Sequence, residues 1–164
     1  MLKKIRIKID TRQREVAGSL FLGDGVAHGI VESEPQALSV TTTGSYYDNG
    51  VSVQISYREG ELSGMEGTRT VLSFSKAEPK QLTLTRDGAV STRLFFEEGK
   101  CHTALYKTPY MPFEVAVKID RIENRLAECG TLLLNYTVEL KGANATKTEF
   151  SMTILPDLDA PISK

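Results

Sequence analysis

The sequence predicts an all-β domain, an antiparallel up-and-down barrel of about eight to ten strands. Two observations predict it. Apolar residues recur at every second position in one run after another, the pattern of a sheet with one wet and one buried face. Clusters of Gly, Asn, Asp and Pro punctuate those runs at roughly ten-residue spacing, as hairpins joined end to end require. Hairpin after hairpin without a long crossover favours a meander, and closure into a barrel removes the sheet edges that invite aggregation.

The chain opens with Ile5, Ile7 and Ile9 alternating with Lys4, Arg6 and Lys8, a half-buried strand with a solvated cationic face. The stretch 11–36 carries Gly18, Gly23, Gly25, Gly29 and Pro35. It is compatible with one or two irregular strands at 15–22 and 27–32 or with a short helical piece, between which periodicity does not arbitrate. Asp48-Asn49-Gly50 is a hairpin signal, because Asn and Gly tolerate positive φ. After it, Val51, Val53, Ile55 and Tyr57 share one face against Ser52, Gln54 and Ser56. Gly64 and Gly67 bound a loop after Glu59. Leu82 and Leu84 alternate with Gln81, Thr83 and Thr85, and Asp87-Gly88 turns the chain into 90–96.

Glu98-Gly99 reads as the next hairpin, and Thr108-Pro109-Tyr110-Met111-Pro112 as a turn or strand break, since Pro cannot donate to a ladder. Phe113, Val115, Val117 and Ile119 alternate with Glu114 and Lys118, and a weak helical turn is compatible with 121–126. The clearest run is Leu132, Leu134, Tyr136, Val138 and Leu140. A loop over 141–144 leads to Phe150, Met152 and Ile154. The domain is expected to span 1–156, with 157–164 a frayed tail.

Bulk properties suit this reading. At 164 residues the chain can bury a core without disulfides or metal, with 40% hydrophobic and 25% charged residues. A net charge of −1 gives no electrostatic footprint for nucleic acid or an anionic membrane, and no apolar run approaches spanning length. The charged N-terminus lacks the apolar region of a signal peptide, so a cytoplasmic protein is expected. Cys101 and Cys129 form no framework and read as reduced thiols. His28 and His102 stand far apart without Cys or Glu at ligand spacing, so no metal and no cofactor is expected. Cys101 and His102 are adjacent on a strand and point to opposite faces, which discounts a nucleophile–base pair.

From about Leu38 onward the sequence resembles the YwiB-like family of uncharacterised bacterial proteins. The resemblance is carried by Thr43-Gly44-Ser45-Tyr46, Ile55-Ser56-Tyr57-Arg58-Glu59, Thr85-Arg86-Asp87-Gly88, Tyr106-Lys107-Thr108-Pro109-Tyr110 and Cys129-Gly130-Thr131-Leu132-Leu133-Leu134-Asn135-Tyr136, in that order. The chain departs from the family's usual glycine at Met111, and its segment 11–36 is longer than the family implies. The resemblance implies a calycin, lipocalin-like barrel and supplies no catalytic residues.

Strand parity makes the candidate site. Tyr57 continues the buried face of Val53 and Ile55, and Glu59 shares it at the strand's end; Arg86 continues Leu82 and Leu84; Tyr136 sits mid-way along its face; Tyr106 follows from a run that alternates less cleanly. On an apolar interior these groups are costly unless paired. Either Arg86 binds an anionic or polar headgroup, oriented by Glu59 and the phenols, or Arg86 and Glu59 pair and cap the barrel; the second is favoured, because buried charges are more often paired internally. Lys107 and Tyr110 would rim the mouth, although turn chemistry explains them more simply.

Three functions are weighed. First ranked is a binding module for a small, partly apolar and anionic ligand. The alternative is a packed barrel serving as a structural or interaction module, homodimeric in one version. An enzyme ranks last, since no nucleophile–base–orienter set is visible.

Overall fold

The computed structural model describes residues 2–16, 36–59, 67–88, 91–108, 110–140 and 145–155. Ten strands fill almost all of them: β1 (Leu2–Val16), β2 (Gln36–Asp48), β3 (Ser52–Arg58), β4 (Arg69–Ser75), β5 (Glu78–Asp87), β6 (Thr92–Glu97), β7 (Cys101–Tyr106), β8 (Phe113–Arg125), β9 (Thr131–Leu140) and β10 (Ala145–Leu155), with one helical turn, α1 (Leu126–Cys129). Every ladder is antiparallel, and the order is β6-β5-β4-β3-β2-β1-β10-β9-β8-β7. The predicted up-and-down barrel is therefore present. The expectations for 17–35, for the loop at 60–66, for 141–144 and for the tail lie outside the described residues, as does His28.

The first and last strands are joined through β1, which pairs with both β2 and β10, and the sheet curls into a nearly closed barrel. Its seam lies between two consecutive strands, β6 and β7. Their outer ends are clipped by Ser91 and Lys107, whose backbones exchange two hydrogen bonds of 2.8 Å. At the other end the connecting turn engages β8: the Gly99 amide donates to the Ile119 carbonyl at 2.9 Å and the Ile119 amide to the Lys100 carbonyl at 3.0 Å. Between these two ends no ladder joins β6 and β7 among the described residues.

The core is the inner face of the alternating runs. Ile7, Val53, Ile55, Leu82, Ile119 and Ile122 are all completely buried. Removing such side chains from water stabilises by about 1.5–3 kcal/mol each. Leu132, Leu134 and Met152 join them with Phe74 and Phe96, so the half of the barrel near the 49–51 and 98–100 turns is filled with apolar side chains.

Three local readings are corrected, and β8 carries a bulge that alternation does not show. Val51 does not belong to the buried face: it stands in the turn before β3 and is 70% exposed. The predicted helical turn starts later, because 121–125 continue β8 and only Leu126–Cys129 coil, ending on Gly130 at φ 77°. The alternation of β8 breaks at a bulge between Ile119 and Arg121, which turns Ile122 rather than Arg121 inward. The bulge exposes an unpaired amide, and Glu98 answers it: its carboxylate accepts from the Ile122 amide at 2.8 Å. In β9 both faces are covered toward its end, where Thr137 and Glu139, on the face expected to be wet, are buried. In β4 the outward Val71 and the inward Thr70 blur the alternation of Leu72 and Phe74, which the burial pattern nonetheless follows.

Candidate functional site

The half of the barrel opposite the 49–51 turn has a different interior. Register explains it. Tyr57 stands opposite Thr70, Thr70 opposite Arg86, and Arg86 opposite Thr92, so four strands contribute one polar layer to the inner face. On the other wall Tyr136 stands opposite Thr148. Tyr106 ends β7 and stacks on Phe113 with centroids 5.5 Å apart, while Phe96 packs on Tyr136 at 5.2 Å. One step beyond Tyr57, the Glu59 amide donates to the Thr68 carbonyl at 2.8 Å and prolongs the β3–β4 pairing, which keeps Glu59 on the inner side.

The five interior candidates, Tyr57, Glu59, Arg86, Tyr106 and Tyr136, thus meet in one cluster. Glu59 accepts a hydrogen bond from the Thr70 hydroxyl at 2.6 Å. Arg86 Nε lies 3.8 Å from Glu59 Oε2, an ion pair too long for a hydrogen bond, with side chains 16% and 10% exposed. Electrostatics tie the phenols to the same pair. Burial pushes Tyr57 well above the ordinary tyrosine range, and the Glu59 carboxylate adds to the rise while Arg86 opposes it. Burial also raises Tyr106 and Tyr136, again opposed by the Arg86 cation. All three phenols therefore stay protonated and can donate.

Three polar atoms in this region are buried without a hydrogen-bond partner: Arg86 Nε, Thr92 Oγ1 and Thr68 Oγ1. Such groups normally find partners, because leaving one unmade costs about 1–3 kcal/mol. Parity reasoning found Arg86 but missed the threonines. Thr68, Thr70, Thr92 and Thr148 are all buried, and in the sequence they read as ordinary strand residues.

The rim candidates sit apart from the cluster. Lys107 is exposed and supplies the backbone bridge to Ser91. Tyr110 is 94% exposed in a turn organised by Thr108, whose hydroxyl accepts from the Met111 amide at 3.2 Å. His102 lies at the seam, edge-on to Phe95 at 5.2 Å, with Nε2 3.7 Å from Glu97 Oε1. Cys101 and Cys129 are free and exposed. Among the described residues no group of His, Cys, Asp and Glu could hold a metal ion.

Known proteins share this architecture. The crystal structure of the YwiB protein from Bacillus subtilis superposes with a TM-score of 0.60 at 17% sequence identity, over 94% of this chain and 96% of that one. At that identity the likeness concerns the fold. No curated protein matches the chain. Residues 28–152 match the domain of unknown function DUF1934. That match takes in nine of the ten strands wholly or in large part, and with the barrel it settles the family: the chain belongs to DUF1934, the YwiB-like proteins.

Proposed function

We propose that the barrel is a small-molecule binding module, taking a ligand with an anionic or polar headgroup and an apolar body. The observation that carries this reading is the set of buried donors, Arg86 Nε with the Thr92 and Thr68 hydroxyls, that lack protein partners beside the protonated phenols. A carboxylate or similar acceptor would satisfy them, and Arg86 would supply its counter-charge. Phe96 and Phe113, packed on Tyr136 and Tyr106, would flank the apolar body. The long separation of Arg86 from Glu59 supports a guanidinium not fully engaged by its own carboxylate. Exposed thiols and the absence of any long apolar helix among the described residues fit a cytoplasmic setting within this reading.

Isothermal titration with decanoate, a medium-chain carboxylate, tests it. The expected result is saturable one-to-one binding that weakens at least tenfold in the double variant Glu59→Gln/Arg86→Met. Absence of saturable heat, or equal affinity in the variant, would overturn the reading. One observation favours the interaction alternative: Leu105, Tyr110 and Met111 are exposed apolar residues at and just beyond β7. A concentration-dependent dimer in sedimentation that is lost on Leu105→Lys/Met111→Lys would support it.

A further inference from the structure

A second feature lies on the outside of the barrel. An open groove of about 610 Å3 runs between the start of β1, the middle of β2 and the ends of β3 and β4. Among the described residues its charged lining residues are Lys3, Lys4, Arg58 and Arg69, with no carboxylate. The chain as a whole carries 21 acidic and 20 basic residues, so this one-sign lining is a local departure from balance. We propose that the groove binds a small molecule bearing two or more phosphate groups.

The register shows how the cations are gathered. Lys4 stands opposite Ser45, and Ser45 opposite Ser56, which places one ammonium and two hydroxyls in a row across three strands. Arg58 and Arg69 stand directly opposite each other. Like charges in that position destabilise a sheet, so the pairing works against the fold unless an anion sits between or beside them. Arg58 is steadied by donating to the Gly67 carbonyl at 3.3 Å, and Lys3 is held 5.1 Å over the Tyr46 ring. Asp87 faces Arg69 on its other side, yet no ion pair joins them among the described residues.

Two guanidinium forks match phosphate oxygens in pairs, and the serine hydroxyls add neutral donors. The volume lies within the few-hundred to thousand Å3 range of small-molecule sites. Three outward-facing cations on three strands, Lys4 on β1, Arg58 on β3 and Arg69 on β4, are more than one phosphate needs, which argues for a di- or triphosphate. The groove is independent of the interior cluster. Lys4, Arg58 and Arg69 face outward by parity, and only Tyr57 borders both. Lys4, from the β1 face read from sequence as merely solvated, is here part of one wall of a concave surface.

Titration of the full chain with inorganic triphosphate and, separately, with ATP tests this. Saturable one-to-one binding at low salt is expected, weakening steeply as ionic strength rises. The variant Arg69→Gln removes the like-charge pair with Arg58 without setting a carboxylate against Asp87, so it should fold about as stably as the parent while losing at least tenfold in triphosphate affinity. Tighter binding of ATP identifies a nucleotide as the source of the phosphates; equal binding identifies the phosphate chain alone. The interior double variant should bind triphosphate unchanged. No saturable binding of either probe, unaltered affinity in a folded Arg69→Gln protein, or preferential length-dependent binding of a single-stranded oligonucleotide would overturn the proposal.

Discussion

Glu59→Gln should cost far more stability than its size suggests. Gln keeps the volume and can still accept the 2.6 Å hydrogen bond from Thr70. What it removes is the counter-charge 3.8 Å from Arg86, in a layer where both side chains are mostly buried. Removing one partner of a buried pair costs about 3–5 kcal/mol, because the surviving charge is left uncompensated. The 3.8 Å separation and residual exposure argue for the lower end, about 3 kcal/mol. For a domain of this size that corresponds to a fall in Tm on the order of 10 °C. Arg86→Met should cost a comparable amount. The double variant, which removes both charges, should lie within about 1 kcal/mol of the parent. Urea unfolding of all four proteins measures the coupling directly. If the two single costs simply add in the double variant, the cluster is not held as a charge pair and the reasoning fails.

Further predictions concern other parts of the barrel. The raised phenols Tyr57, Tyr106 and Tyr136 favour the neutral form in the folded state, so their contribution is full below the unfolded tyrosine value of about 10 and is lost as pH rises above it. The urea midpoint should therefore hold steady to about pH 9 and then fall, while absorbance at 295 nm shows these phenols ionising late; simultaneous ionisation of all six tyrosines near pH 10 in the folded protein would contradict this. Gly44→Ala should destabilise by about 1–3 kcal/mol in thermal unfolding, since an added Cβ would lie 2.5 Å from the Ser56 carbonyl and 2.8 Å from Ile7 Cδ1. Glu98→Ala should cost about 1 kcal/mol by orphaning the Ile122 amide at the bulge, and amide exchange at Ile122 should accelerate selectively.

The barrel was legible because its strands alternate so regularly: Val53, Ile55, Leu82, Leu84, Leu132 and Leu134 sit on the inner wall as period two demands. The same parity put Tyr57, Glu59, Arg86 and Tyr136 on that wall, and Tyr106, read from a less regular run, joined them. Their convergence was not legible, since it depends on the register between strands, which alternation alone leaves open. The bulge at Ile119–Arg121 shows the limit most clearly: it shifts parity by one residue, and nothing in Lys118-Ile119-Asp120-Arg121 announces it. The buried threonines were invisible for a related reason, because a Thr on a strand fits either face. The outer groove depends on three ladders at once and on the approach of two arginines eleven residues apart in sequence.

Native mass spectrometry of freshly purified protein tests the binding-module reading most directly. The account predicts a single non-protein mass per 18.1 kDa chain, released on denaturation and absent from folded Glu59→Gln/Arg86→Met protein. A bare chain throughout, or the same adduct retained by the double variant, would contradict it.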